Sequence, residues 1–248
     1  MIACLDQVSF AYQEREIVSG ISFAIQPGEV VALFGPNGCG KSTILRIMAG
    51  RLAPASGRAV IPPPGDSGFV FQNYRDSLFP WRSALGNVSF PLECRGENSA
   101  SARVRAARVL KTVGADQHAG SYPYRLSGGQ AQAVAIARAI VSEPKLVLLD
   151  EPSSALDIVA QRELWMALMK VTSDSPAGFL LVTHDLDEAI ILADRILVLS
   201  PRPGRILDEI SVPLPRPRAP VILSDPRFLA LRARLASSFE AALSGTRS

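Results

Sequence analysis

Gly35-Pro36-Asn37-Gly38-Cys39-Gly40-Lys41-Ser42-Thr43 sets three glycines ahead of a lysine and two hydroxyls, in the spacing GxxxxGK[ST]. Successive N–H groups of such a loop can surround an anion. The lysine can reach the outer phosphates of a nucleoside triphosphate, and the first hydroxyl can ligate Mg²⁺. A second reactive group, Asp150-Glu151, ends the apolar run Leu146-Val147-Leu148-Leu149. Asp150 is suited to hold Mg²⁺ through its water shell and Glu151 to polarise an attacking water, because successive side chains of an extended segment point in different directions. A third string, Leu126-Ser127-Gly128-Gly129-Gln130, precedes a helical stretch from Gln130 to Val141. A serine and two glycines at a helix start form an anion site, one more than a single bound nucleotide needs. Cys39 lies inside the phosphate loop, where the positive field is expected to favour its thiolate.

These residues need elements to hold them. Val30 to Phe34, directly ahead of the glycine loop, is a continuous apolar run, as expected of a strand buried on both faces. Ser42 to Ala49 follows as a helix closed near Gly50. Val8 to Tyr12 and Ile21 to Ile25 alternate as short strands, with Pro27-Gly28-Glu29 as a turn. Ser56-Gly57 and Pro62-Pro63-Pro64-Gly65 punctuate a loop-rich stretch before a strand over Gly68-Phe69-Val70-Phe71-Gln72. Residues 86–142 are mainly helical in pattern. Three more buried-strand runs follow at Leu146 to Leu149, Phe179 to Thr183 and Ile196 to Leu199, separated by two helical stretches. Alternation of this kind predicts a mostly parallel sheet with helices on its faces. Pro213-Leu214-Pro215-Arg216-Pro217-Arg218 predicts a stiff, poorly hydrogen-bonded segment. Beyond it Phe228, Leu231, Leu235, Phe239 and Leu243 recur at helical spacing, an amphipathic helix expected to pack back on the domain.

Composition narrows the function. With 26 Lys+Arg against 23 Asp+Glu, a net charge of +3 is too balanced to argue for nucleic acid. Apolar residues make up 48%, and the mean hydropathy is +0.19, enough for a sizeable core. No apolar stretch reaches the roughly 18 residues of a membrane span. The first residues lack the basic and apolar regions of a secretory signal. Cys4, Cys39 and Cys94 are few and widely spaced, which reads as reduced thiols in a cytosolic protein; His118 and His184 alone exclude a histidine-rich metal centre.

Taken together, the GxxxxGK[ST] loop, LSGGQ and Asp150-Glu151 resemble the ATP-binding cassette (ABC) family, and the resemblance covers most of the chain. It implies ATP and Mg²⁺ as cofactors. It also implies an α/β P-loop NTPase core with an antiparallel β subdomain and a helical subdomain inserted at about 86–142. The ATPase domain would span 1–220, with 221–248 a C-terminal amphipathic helix and tail. In the family the signature of one subunit closes over the γ-phosphate on the phosphate loop of another. Ser127, Gly128, Gly129 and Gln130 are then expected to act on the opposite subunit of a head-to-tail dimer.

Further positions match residue by residue. Tyr12 resembles the aromatic that stacks on adenine, with a half-buried strand tyrosine as the competing reading. Gln72 resembles the glutamine that senses Mg²⁺ and the attacking water, which makes Ser42, Gln72 and Asp150 the metal set. His184 resembles the switch histidine that contacts the γ-phosphate, which makes Glu151, His184 and Gln72 the catalytic set. Ser154-Ala155-Leu156-Asp157 resembles the loop that links the two sites across the dimer. One departure stands out: many relatives carry arginines where this chain has Ala131 and Ala133.

A single cassette without a membrane segment resembles the separate ATPase subunit of a bacterial-type importer. Tyr122-Pro123-Tyr124-Arg125 points the same way. Ser77-Leu78-Phe79-Pro80-Trp81-Arg82 and Ser200-Pro201-Arg202-Pro203-Gly204-Arg205-Ile206 resemble the nitrate, sulfonate and taurine group. The resemblance implies a pair of ATPase subunits, two transmembrane permease subunits and a separate solute-binding protein, with no nucleic acid. The chain would sit peripherally on the cytoplasmic face of the cell membrane. A soluble, non-transport ABC ATPase is the alternative.

Overall fold

The structure is a computed structural model that describes all residues except 64, 74–76, 174, 217, 219 and 245–248. Strands β1 (Ala3–Tyr12) and β2 (Arg15–Ile25) form an antiparallel hairpin, and β4 (Ser56–Val60) pairs with β1 on its other side. The second sheet orders β5 (Ser67–Val70), β6 (Leu146–Asp150), β7 (Gly178–Thr183), β3 (Val30–Phe34), β8 (Arg195–Leu199) and β9 (Ile206–Ser211). Its first five strands are parallel, and β9 returns antiparallel on β8.

Helix α1 (Lys41–Met48) follows β3. Between β5 and β6 the chain forms α2 (Ala84–Cys94), α3 (Ser99–Thr112) and α4 (Gly128–Ile140). Helices α5 (Ile158–Ser173) and α6 (Leu186–Leu192) connect β6 to β7 and β7 to β8, and α7 (Pro226–Ser244) ends the described chain.

The apolar runs are apolar throughout because this sheet is covered on both faces. Successive residues of β3 divide between two cores. Val31 and Leu33 join Ile44, Leu45, Ile47 and Met48 of α1 and the inner face of the β1–β2 hairpin. Val30, Ala32 and Phe34 join residues of α2 through α7. β6 and β7 divide the same way, with Leu148 and Leu180 on the first side and Leu149 and Leu181 on the second. Parallel pairing then delivers the last residues of β3, β5, β6 and β7 to one edge, where ligands of open α/β sheets bind.

Three expectations need correction. Ser56–Val60, expected as loop, is a strand; its residues are half-buried or exposed, so the pattern that marks a covered strand is absent. β9 was not anticipated, for the same reason: as an edge strand it buries only Ile210 of its six residues. Side chains also tie down the proline-rich segment, of which Pro217 lies outside the described residues. Arg218, 1% exposed, donates to the carbonyls of Ile190, Ile191, Ala193, Val212 and Leu214. Those from Ile190 to Ala193 are carbonyls at the C-terminal end of α6, where a cation satisfies otherwise unpaired acceptors.

Helix α7 packs on α6, β8 and β9. Phe228 and Leu235 are buried, and the Phe239 ring meets Phe34, the last residue of β3, edge-on at 5.2 Å. Leu243, by contrast, is exposed.

Candidate active site

The glycine loop turns sharply from β3 into α1. Gly40 caps α1 with φ 107°, and a β-carbon there would lie 2.4 Å from Val18, so no other residue fits both the backbone and the space. Lys41, 5% exposed, donates from Nζ to the carbonyls of Gly35 (2.7 Å) and Pro36 (3.1 Å). Its charge is thus held against the loop that it would serve.

Around the loop lies a cleft of about 630 Å³, within the size range of ligand pockets. Asn37, Gly38, Gly40, Lys41, Ser42 and Thr43 form its floor, Gln72 and Glu151 one wall, and Tyr12, Gln13, Arg15 and Ile17 the other. Tyr12 is 46% exposed and meets Phe10 edge-on, so its ring is available at the cleft. Arg202 completes the lining.

Glu151 has φ 46°, a left-handed conformation that costs about 1 kcal/mol or more for a non-glycine residue. The Glu151 N–H donates to Val182 O at 2.9 Å, which ties this turn to β7. Glu151 Oε2 accepts from Gln72 Nε2 at 3.3 Å and lies 3.2 Å from His184 Nδ1. Three residues from the ends of β5, β6 and β7, between 33 and 112 positions apart in the chain, therefore meet around one carboxylate. Asn37, Asn73, Ser154 and Ala155 join them in lining an adjoining cleft of about 660 Å³.

Burial raises the Asp150 carboxyl above the ordinary range, and the neighbouring Glu151 adds to that. Arg46, Lys41 and a hydrogen bond from Ser42 oppose the shift. Asp150 and Glu151 beside the Ser42 hydroxyl offer oxygen donors whose negative charge Arg46 and Lys41 only partly offset. All-oxygen donors of this kind fit Mg²⁺, which takes one or two carboxylates and keeps its remaining positions for water and phosphate. Among the described residues no cluster of three or more His, Cys, Asp or Glu forms an all-protein metal cage.

The Cys39 expectation is overturned. Its thiol is 1% exposed among the buried residues around β3 and α1, and burial pushes its pKa up, outweighing the opposing charge of Lys41. Loop membership suggested a thiolate; the side chain's inward direction could not be read from spacing.

LSGGQ forms a capping box at the start of α4. Ser127 Oγ accepts from Gln130 N at 3.3 Å, and Gln130 Oε1 accepts from Ser127 N at 2.9 Å. None of Ser127 to Gln130 lines the phosphate-loop cleft of the same chain. Gly129, Gln130 and Ala133 instead border a separate cavity of about 400 Å³ against α5. Ala131 and Ala133, in the stretch where many family members carry arginines, are 2% and 8% exposed.

The loop from Ser154 to Asp157 caps α5, with Asp157 Oδ1 accepting from Val159 N and Ala160 N at 3.0 and 2.9 Å. Beneath it, buried Glu188 accepts from Trp165 Nε1 at 3.2 Å and is hydrogen-bonded by Ser153 and Thr183. Gln161 Nε2 spans Ser153 and Asp185. This network, which periodicity did not reveal, joins the loop from Ser154 to Asp157 to the segment that carries His184.

A strand-borne phosphate loop, a carboxylate pair at the end of β6 and a separately facing LSGGQ helix together define an ATP-binding cassette. The model of the ABC transporter family matches residues 18–154, and the chain belongs to that family. It is 40% identical over 243 residues to the taurine import ATP-binding protein TauB of Chromobacterium violaceum, covering 93% of this chain and 92% of that one. It is 43% identical over 236 residues to the aliphatic sulfonates import ATP-binding protein SsuB 2 of Burkholderia cenocepacia, covering 92% and 84%. Among solved structures, the dimeric ABC transporter cassette MJ0796 superposes with TM-score 0.74 at 30% identity, over 85% of this chain and 99% of that one. A post-hydrolysis state of the same cassette with ADP and Pi gives 0.73 at 30% identity.

Proposed function

We propose that this chain is the ATP-hydrolysing subunit of an ABC importer that takes up a small solute of the sulfonate or taurine type. The convergence of Gln72, Glu151 and His184 beside the phosphate loop carries the reading. The names of its relatives support the importer class and this range of solutes.

In this reading Tyr12 and residues Gly35 to Thr43 bind ATP. Ser42 and Asp150, with Gln72, would hold Mg²⁺, which neutralises phosphate charge when bound. Glu151 accepts the proton of the attacking water, Gln72 orients that water, and His184 contacts the γ-phosphate. Ser127 to Gln130 of a second subunit close over the nucleotide, and Ser154 to Asp157 link the two sites. Closure and reopening of the pair drive two permease subunits between inward- and outward-facing states, fed by a solute-binding protein. The chain then sits peripherally at the cytoplasmic side of the membrane. Residues 1–220 act as the cassette, with 86–142 as its helical insertion and 221–248 as an appended helix and tail.

Co-expression with the permease of a taurine or sulfonate importer from the same organism tests this reading. The complex should purify intact, and Glu151→Gln should preserve it while abolishing ATP-dependent uptake. A chain that hydrolyses ATP but retains no permease contradicts the importer reading.

A further inference from the structure

The loop after β8 is built against the phosphate loop. Ser200 Oγ accepts from Arg205 N and donates to Pro203 O, both at 2.8 Å, and Ser200 N donates to Arg205 O at 2.9 Å. Gly204 N donates to Ile17 O at 2.9 Å, and Gly204 O accepts from Ser19 N at 3.0 Å, so β2 braces the loop from the other side. A β-carbon at Gly204 would lie 2.1 Å from Cys39 O, so the close approach requires glycine. A small, internally closed loop is thus wedged between β2 and the phosphate loop.

Arg202 is the side chain this loop presents to the cleft. Its Nε donates to Gly38 O at 3.2 Å, and its guanidinium stands among the residues that line the cleft. No carboxylate among the described residues lies within ion-pair distance of it. Lys41 is nearly buried and engaged with Gly35 and Pro36, whereas Arg202 is exposed at the cleft. Arg15 also lines the cleft, from the β1–β2 hairpin, but Arg202 is the one hydrogen-bonded to the phosphate loop. A delocalised, permanently charged fork suits phosphate oxygens.

We propose that Arg202 is a nucleotide-binding residue, an additional cation that contacts the anionic phosphates of ATP alongside Lys41. This rests on reading the cleft as the ATP site. The loop holds the guanidinium at the phosphate end of the cleft before nucleotide arrives, so little side-chain order is lost on binding.

Titration of the full-length chain with MgATP, MgADP and adenosine at low and high salt tests this, with Lys41→Ala run in parallel. Arg202→Ala should raise Kd for ATP and ADP about three- to tenfold at low salt and less at high salt, with adenosine unaffected. Arg202→Gln keeps a donor for Gly38 O and should bind as weakly as Arg202→Ala, while Arg202→Lys should stay close to the parent chain. Unchanged ATP affinity in Arg202→Ala and Arg202→Gln, with Lys41→Ala abolished, overturns the role of Arg202 and leaves the ATP site standing. Retained affinity in Lys41→Ala overturns the ATP site and Arg202 with it. Should Arg202→Ala lose its fold, the Gln and Lys pair decides: equal affinities in those two overturn the proposal.

Discussion

Burial settles the chemistry of several single residues. Cys39 sits inside the phosphate loop with its thiol turned into the apolar layer, so attack on it requires the loop to open. Cys94 is exposed. Iodoacetamide at neutral pH should therefore label Cys94 well before Cys39, with ATP hydrolysis intact at one equivalent, as peptide mapping against time will read. Labelling of Cys39 first would mean the loop is open in solution. Glu188 lies fully buried in the network under the linking loop, and burial raises its carboxyl from 4.5 to about 6 despite hydrogen bonds from Ser153, Thr183 and Trp165. A pKa raised on folding contributes stability that is fully present below the unfolded value and is lost as pH rises through the folded one. Relative to Glu188→Gln, the parent chain should lose about 2 kcal/mol of stability between pH 4.5 and pH 6 and little more above. Urea denaturation of both chains across that range measures it; a pH-independent difference would show that folding does not raise the Glu188 pKa. The phosphate loop, Asp150-Glu151 and LSGGQ were legible because their residue types have few other uses together. Glu188 was not, since a lone polar residue in an apolar pattern gives no sign of what it bonds.

At the scale of elements, residues Ser77 to Ser83, just ahead of α2, are held by side chains from α2 and α4. Asn87 of α2, fully buried, accepts from Phe79 N and donates to the carbonyls of Phe79, Arg82 and Ser83 at 2.8 to 3.1 Å. Arg138 of α4 donates to Ser77 O and lies over the Phe79 ring at 5.6 Å. The helix that begins at LSGGQ is thereby tied to Ser77 and Phe79. The rings of Phe79 and Trp81 lie with centroids 5.5 Å apart, yet their surroundings differ. Phe79 packs against Phe90 at 4.8 Å, while Trp81 is 72% exposed. An exposed aromatic on a braced loop costs little to order in an interface, and such anchors contribute about 2 kcal/mol or more when buried. Trp81→Ala should leave folding and ATP affinity unchanged and weaken permease association at least about tenfold, as a pull-down of solubilised permease will measure. Normal association removes Trp81 from the interface. Elements with continuous apolar runs were legible because both faces of the sheet are covered. β4 and β9 were not, since edge strands carry no such run, and the hold of Arg218 on α6 depends on carbonyls far away in sequence.

The whole molecule presents two half-sites that do not meet within one chain. The phosphate-loop cleft lacks LSGGQ, and LSGGQ caps a helix that faces elsewhere. Beside the linking loop, Ile158 and Val159 are 69% and 68% exposed, apolar surface next to Ser154 and Ala155. Two chains related head to tail would complete both sites and cover that surface together, an isologous arrangement with a two-fold axis. Glu151 is the pivot, because a chain that binds ATP without hydrolysing it should remain closed. The Glu151→Gln chain, sized by light scattering with and without MgATP, tests the account most directly. It should be a monomer of 26.5 kDa without nucleotide and a dimer with it, and a further Ser127→Arg change should abolish the dimer. A Glu151→Gln chain that is saturated with ATP yet stays monomeric would contradict it.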